Sequence, residues 1–191
     1  MKKGEKKTEK KTGKKKKSIV REALSWIFYF VLLCCAAYLM VNYVGERTEV
    51  RGDSMYPALN DGDQLIVDLI SYRFTDPKRF DIVVFPFQYQ EDTYYIKRII
   101  GLPGETVQIA DGVIYINGKV LEDPYGNEEI RNAGLASAEI TLGDQEYFVL
   151  GDNRNNSTDS REPSVGNISR DQILGKAILR IWPFESFGLL G

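Results

Sequence analysis

The amino-acid sequence predicts a mainly β, antiparallel β-rich domain that follows a single N-terminal transmembrane helix. Three observations support this prediction. A lysine-rich segment, residues 1–17, precedes a long apolar segment, residues 18–44, and residues 45–191 alternate short apolar stretches with turn residues. Alternation with a period of two is typical of strands buried on one face, and about 20 consecutive apolar residues are typical of a helix that spans a bilayer.

The lysine-rich segment contains ten lysines and two glutamates, which gives it a charge of +8. The other residues carry 15 basic and 25 acidic side chains, so the overall charge of −2 combines a basic tail with an acidic body. A highly charged segment without apolar side chains beyond its first residue cannot form a core. We therefore predict that residues 1–17 are a disordered tail.

The apolar run extends from Ala23 to Val44 and contains no Lys, Arg, Asp or Glu. A signal-peptide apolar region has roughly 7–15 residues and ends at a small-residue cleavage site, whereas this run is longer and lacks that site. It therefore predicts a retained membrane anchor, and the basic tail predicts a cytoplasmic N-terminus with residues 45–191 outside. The alternative is a buried core helix of a soluble protein. Both cysteines, Cys34 and Cys35, lie in this run, so the body can form no disulfide.

The body contains seven predicted strands, which are separated by turn residues. Asp111-Gly112 and Asn117-Gly118 favour tight hairpins, because glycine adopts the positive φ that these turns require. Residues 121–139 are polar and weakly patterned, which predicts a surface excursion between strands. The predicted strands are residues 64–69, 81–85, 94–100, 107–109, 113–116, 147–150 and 176–181.

The absence of histidine restricts the chemistry that the body can perform. The chain has no histidine, and both of its cysteines lie in the apolar run. A Ser-His-Asp triad, a Cys-His pair and an HExxH zinc site are therefore excluded, and no GxxxxGK[ST] loop supports nucleotide binding. A catalytic base would have to be Lys, Asp, Glu or Tyr. Two carboxylates could also support acid-protease or glycosidase chemistry, although no such pair stands in a recognisable motif.

Ser54 is a candidate nucleophile that follows the apolar run by ten residues, within Arg51-Gly52-Asp53-Ser54-Met55-Tyr56-Pro57. Gly52 allows the backbone to approach a substrate closely, and Pro57 restricts the turn, so that the hydroxyl of Ser54 can be exposed. The alternative is an ordinary Gly-Asp-Ser turn without a catalytic role.

Lys97 is a candidate general base in a predicted strand, where it shares a face with Tyr95 and Ile99. An exposed lysine has a pKa of about 10.4 and is protonated at neutral pH, whereas burial favours the neutral amine. A neutral Lys97 can accept the proton of Ser54. Alternatively, Lys97 and Arg98 are amphipathic residues whose side-chain stems cover apolar surface.

A polar loop of eleven residues, 151–161, directly follows a predicted strand. Such a loop is costly to order unless other groups hold it. Asp159 and Arg161 can form an ion pair, and Ser157 can offer a hydroxyl to a neighbouring amine, so the loop could support Lys97. The alternative is a flexible surface loop.

These three segments, in this order and behind one N-terminal anchor, resemble the motifs of type I signal peptidases, and the single anchor resembles the Gram-positive form. The resemblance covers about residues 18 to 182. Ser54-Met55-Tyr56-Pro57-Ala58-Leu59 is similar to the nucleophile motif, and Lys97-Arg98-Ile99-Ile100-Gly101-Leu102-Pro103-Gly104 is similar to the lysine motif. Residues 62–67 and residues 151–161 are similar to the two remaining motifs.

The resemblance implies a membrane-bound serine endopeptidase that removes N-terminal signal peptides from secreted proteins through a Ser-Lys dyad, without a metal or other cofactor. Its partners would be the signal peptides of exported preproteins and membrane lipid, with no nucleic acid. The catalytic domain would lie on the outer side of the cell membrane. The implied roles are nucleophile for Ser54, general base for Lys97, orientation of Lys97 for Ser157, and structural ion pairs for Asp159 with Arg161 and for Arg98 with Asp152.

Two positions depart from the family pattern. Ala58 stands where the family often has threonine, which the turn tolerates because it depends more on Pro57. Some members have, two residues before the nucleophile, a serine that helps to bind the oxyanion. This chain has Gly52 at that position and in this respect resembles members of the Gram-positive type. The oxyanion would then rely mainly on the backbone N–H of Ser54.

Two other protein classes are alternatives. The self-cleaving SOS repressors resemble the chain around Ser54-Met55, but they are soluble and carry a DNA-binding domain. A non-catalytic, signal-peptidase-like assembly factor for pilus building would be expected to lack the dyad, whereas Ser54 and Lys97 are both present.

The C-terminal residues are strongly apolar for a chain end. Termini are usually mobile and polar, so this one is expected to dock on a surface. We predict that Trp182, Phe184 and Phe187 rest against the bilayer surface. The alternative is an ordinary last strand that packs into the core.

Overall fold

The computed structural model describes residues 21–35, 45–126 and 128–190, and it divides the chain into two compact units at the boundary between residues 44 and 45. Residues 21–35 form a helix, α1. Within the described ranges, the structure contains no helix of sufficient length and apolar character to cross a membrane. The predicted tail, residues 1–17, and the second part of the predicted anchor, residues 36–44, lie outside the described residues.

The second unit is built mainly from strands, and every strand pairing in its described part is antiparallel. The mainly β prediction for this unit is therefore confirmed. The strands are β1 (Gly45–Glu49), β2 (Gln64–Asp68), β3 (Ile82–Pro86), β4 (Tyr94–Gly101), β5 (Thr106–Ala110), β6 (Val113–Ile116), β7 (Lys119–Val120), β8 (Ile140–Thr141), β9 (Glu146–Leu150), β10 (Ile168–Ser169), β11 (Gly175–Trp182) and β12 (Gly188–Leu189).

These strands form two sheets. The larger sheet has the order β1-β2-β11-β3-β4-β9-β10, and β12 pairs with β11. The smaller sheet has the order β7-β6-β5-β8. From Lys97 onward, strand β4 is buried on both faces, because Ile99 packs in one core cluster with Val83 and Val149, while Ile100 packs in another with Val107 and Phe148. This buried part of the strand begins with Lys97 and Arg98.

All seven predicted strands are confirmed, and each boundary differs by one residue at most. Both predicted hairpin turns are also present, because Asp111 and Asn117 have φ angles of 49° and 50° and the glycines that follow them have 78° and 71°. Strands β1, β7, β8, β10 and β12 are not among the predicted strands. Strand β1 has the sequence GERTE, which lacks apolar alternation, and it is a strand because it pairs with β2 from Gly45↔Asp68 to Glu49↔Gln64.

The C-terminal end is docked through its backbone rather than through its aromatic side chains. Leu189 pairs with Leu179, and the Leu190 N–H donates to the Ile178 carbonyl at 2.9 Å. The nearby aromatic side chains are exposed, and the rings of two of them lie edge to face with centroids 4.9 Å apart. The chain end therefore combines an ordinary last strand with an apolar surface that consists of Trp182, Phe184, Phe187 and Leu189.

Candidate active site

Ser54 lies in a turn, residues 50–55, that follows β1 and that we call the nucleophile turn; two hydrogen bonds hold its start. The Val50 N–H donates to the Asp63 carbonyl at 2.8 Å, and the Gly52 N–H donates to Asp61 Oδ1 at 2.7 Å. Buried Met55 anchors the turn in the core. Gly52 has a φ of +82°, and the space around its Cα is open, so backbone conformation rather than packing favours glycine at this position.

The structure brings Ser54 and Lys97 together. Lys97 Nζ lies 2.8 Å from Ser54 Oγ, although 43 positions separate the two residues in the chain. Its second hydrogen bond, of 3.0 Å, goes to the carbonyl oxygen of Ile96, and the ring of Tyr95 lies 4.9 Å away. Lys97 is only 4% exposed, so water has little access to the amine.

Burial changes the protonation of Lys97. It lowers the pKa of the amine to about 8, while the negative charges of Asp159 and Asp152 oppose this shift. Each carboxylate forms an ion pair, Asp159 with Arg161 at 2.8 Å and Asp152 with Arg98 at 2.7 Å. These arginines offset the carboxylate charges, so the amine can lose its proton near neutral pH and become a base.

The polar loop, residues 151–161, is held by buried charges. Asp159 Oδ2 accepts a hydrogen bond from the Gly151 N–H at 3.0 Å, and both of its carboxylate oxygens accept from the Arg161 guanidinium. Arg161 also donates to the Arg154 carbonyl at 2.6 Å. Asp159 and Arg161 are buried, and the loop is therefore ordered rather than a flexible surface loop.

Asn153, which is not among the residues predicted for the site, joins this loop to the nucleophile turn. Its backbone N–H donates to the Ser54 carbonyl at 3.1 Å, and its side-chain Nδ2 donates to the Asp53 carbonyl at 3.0 Å. A Cβ at Gly151 would lie 2.4 Å from the Ser54 carbonyl oxygen, so only glycine permits this approach. Asn153 and Asp53 are 100 positions apart, and no local sequence signal predicts such a contact.

Ser157 lies against Gly151. A Cβ added to this glycine would be only 2.2 Å from Ser157 Oγ, so the contact leaves no space for a side chain. This hydroxyl is buried and has no hydrogen-bond partner among the described residues. The second hydrogen bond of Lys97 goes to Ile96 instead. The orienting role of Ser157 therefore stays a prediction.

A groove of about 630 Å³ opens beside the two candidate catalytic residues. One side is lined by residues 47–55, from β1 and the nucleophile turn, and the other includes residues 92–97, from the start of β4. Among the described strands, β1 pairs only with β2, and β4 pairs with β9 only from Arg98 onward. Both strands thus have an unpaired backbone edge at the groove.

In the same described ranges, no three His, Cys, Asp or Glu side chains are grouped so that they could hold a metal ion.

Comparison with known proteins identifies the family. The model of the family described as signal peptidase, peptidase S26, matches residues 23–182. The chain is 37% identical over 187 residues to a probable signal peptidase I-2 of Synechocystis sp., covering 94% of this chain and 83% of that protein. It is 33% identical over 184 residues to signal peptidase IB of Staphylococcus aureus strain Mu50, and this match covers 87% of this chain and 93% of that protein.

Among solved structures, a signal peptidase I from Enterococcus faecalis V583 is similar to the chain, with 35% identity and a TM-score of 0.45. The match covers 53% of this chain and 97% of that one. The family model covers most of the chain, and two relatives above 30% identity are covered over most of their length. The chain belongs to the signal peptidase family, peptidase S26.

Proposed function

We propose that this protein is a membrane-bound serine endopeptidase that removes N-terminal signal peptides from exported preproteins, with Ser54 as nucleophile and Lys97 as general base. The observation that carries the proposal is the 2.8 Å distance between Lys97 Nζ and Ser54 Oγ in a buried setting. Family membership supports the substrate class. Buried lysine amines with lowered pKa values are suitable bases for a serine hydroxyl.

The geometry supports acyl transfer in two steps. Neutral Lys97 takes the Ser54 proton while Oγ attacks the scissile carbonyl carbon. The resulting oxyanion accepts a hydrogen bond from the Ser54 backbone N–H. This N–H is available to the substrate, because it donates to no other acceptor among the described residues. The C–N bond then breaks as the Lys97 ammonium protonates the leaving amine, which leaves an ester on Ser54. Lys97 next deprotonates a water that hydrolyses this ester, so the signal peptide leaves and the hydroxyl re-forms.

The two unpaired strand edges support binding of a substrate in extended conformation. A peptide between residues 47–55 and residues 92–97 can form hydrogen bonds with the backbone of both walls of the groove. Backbone pairing does not depend on side-chain identity. This mode of binding therefore suits an enzyme that processes many preproteins of different sequence.

Exposed apolar side chains support a membrane location for both units. In α1, residues 21–35, the side chains of Trp26, Phe28 and Leu33 are largely exposed, and a helix with such a surface is costly in water. From residue 23 onward, this helix belongs to the apolar run that extends to Val44. We therefore propose that the run anchors the protein in the cell membrane and that the C-terminal aromatic surface rests on the lipid headgroups.

Fluorescence of Trp182 tests the proposed contact with lipid. The chain contains two tryptophans, so a Trp26→Phe variant has Trp182 as its single tryptophan. We expect a quencher attached to the lipid acyl chains to reduce Trp182 emission in vesicles, whereas acrylamide in water should quench it weakly. Quenching by acrylamide but not by the lipid-borne quencher would exclude contact of this surface with the bilayer.

Cleavage of a secretory precursor as a function of pH tests the proposed function. The full chain, in detergent or lipid vesicles, is expected to cut the precursor once, at the junction between signal peptide and mature protein. Only neutral Lys97 can accept a proton, so kcat/KM should fall as the pH decreases through about 8. Mass spectrometry of the products and initial rates across the pH range measure both properties.

Two outcomes would contradict the proposed function. Cuts at scattered positions would exclude a processing enzyme for signal peptides. A rate that stays constant down to about pH 5 would contradict a lysine base, because an amine with a pKa near 8 is protonated there.

A further inference from the structure

The excursion between β7 and β8, which no sequence motif covers, packs against the polar loop that supports Lys97. We call its described residues between 123 and 135 the brace. Asp123 forms an ion pair of 2.5 Å with Arg154, and the two side chains are only 9% and 3% exposed. Arg154 in turn donates to the Gly151 carbonyl at 3.0 Å. The brace therefore holds, through Arg154, the carbonyl of Gly151, the residue at which an added Cβ would lie 2.4 Å from the Ser54 carbonyl oxygen.

A second contact joins the brace to the strand of the base. The Tyr125 ring covers the guanidinium of Arg98, with 3.6 Å between Arg98 Cζ and the ring centroid. Arg98 forms two hydrogen bonds with Asp152, of 2.8 Å and 2.7 Å. A cation over an aromatic face is attracted more strongly where water is excluded, and both partners of this ion pair are buried. Tyr125 thus fixes the pair next to Lys97.

Further hydrogen bonds hold the remainder of the loop. Asn155 accepts from the Arg131 N–H at 2.9 Å and donates to the Glu129 carbonyl at 2.9 Å. Arg161, near the other end of the loop, donates to the Asn132 carbonyl at 3.1 Å. The brace therefore contacts the loop at two adjacent residues of its first half, Arg154 and Asn155, and at its last residue, Arg161.

We propose that the brace positions the catalytic base, with Asp123 and Tyr125 as positioning residues that keep the polar loop closed over Lys97. This inference rests on the proposed function. The charged and titratable groups around Lys97 are Asp152 and Asp159, each paired with an arginine, and the nearby Tyr95 phenol. Because the brace fixes both carboxylate–arginine pairs, its loss should admit water to the amine and disturb the alignment with Ser54.

A pair of variants at one position tests this role. Tyr125→Leu removes the ring over Arg98, whereas Tyr125→Phe retains it and removes only the hydroxyl. Misplaced catalytic groups lower rates by about 10- to 100-fold, so Tyr125→Leu should lower kcat by that range with KM little changed. Its kcat/KM profile should also move to higher pH, because a hydrated Lys97 loses its proton less readily. Tyr125→Phe should retain the wild-type profile.

The ion pair provides a second test with its own control. Asp123→Asn removes the negative charge that forms the ion pair with Arg154. The control, Glu122→Gln, removes a negative charge from the adjacent residue, which is exposed. Only the first is expected to shift the pH profile. Hydrogen exchange measured by mass spectrometry should be faster across residues 151–161 in Asp123→Asn and Tyr125→Leu than in the matched controls.

The outcomes separate this inference from the proposed function. Ser54→Ala serves as the reference, because near wild-type cleavage by that variant would contradict the proposed function itself. If Ser54→Ala is inactive while Tyr125→Leu has an unchanged kcat and pH profile, the positioning role is wrong, even if the variant melts at a lower temperature. Should Asp123→Asn fail to fold, the comparison of Tyr125→Leu with Tyr125→Phe decides the question alone.

Discussion

Ser54→Ala and Lys97→Met are each expected to lower kcat by about 10⁴-fold or more, the scale that follows removal of one member of a catalytic unit. Methionine preserves the length and apolar contacts of the buried lysine while it removes the amine. Because Ser54 cannot attack efficiently without the base, and the base has no proton to accept without Ser54, the double variant should lose no more activity than either single variant. Single-turnover cleavage of a precursor, measured above pH 8, compares the three.

The control for this experiment is Lys119→Met, which makes the same change at an exposed lysine in β7. It should retain wild-type turnover. Additive losses in the double variant would show that Ser54 and Lys97 act independently, and near wild-type turnover by Lys97→Met would contradict the assignment of the base.

Asp159→Ala is expected to lower the free energy of unfolding by about 3–5 kcal/mol, because it leaves a buried arginine without its counter-charge. The carboxylate accepts hydrogen bonds from the Arg161 guanidinium and from the Gly151 N–H, so its removal also frees the start of the polar loop. Urea denaturation of the full chain in detergent measures the effect as a lower midpoint with an unchanged slope.

An exposed ion pair provides the comparison for this stability prediction. Glu128 and Arg131 lie 3.3 Å apart, but their side chains are 35% and 79% exposed. Surface pairs contribute about 0–1 kcal/mol, so Glu128→Ala should barely move the midpoint. Equal shifts for Asp159→Ala and Glu128→Ala would mean that the buried pair contributes no more than a surface pair.

The strands with regular apolar alternation could be predicted from the sequence because their side-chain pattern is local. Strand β1 could not, since the charged residues of GERTE adopt an extended conformation through pairing with β2. The same distinction applies to the site. Ser54 and Lys97 could be proposed because the chain has no histidine and because both residues stand in motifs. Asn153 and Tyr125 could not, because they contact Asp53 and Arg98, residues distant in sequence that only the folded chain brings near.

The two open strand edges of the groove also create a hazard between catalytic cycles. An unpaired edge is a template on which any extended chain can assemble, including a partly folded copy of the same protein. The three charged side chains of Glu46, Arg47 and Glu49 on β1 make such pairing less favourable, because charged residues on an edge strand discourage the addition of another chain. The charged composition of β1, which hides this strand in the amino-acid sequence, thus protects the edge at which we propose that substrate binds.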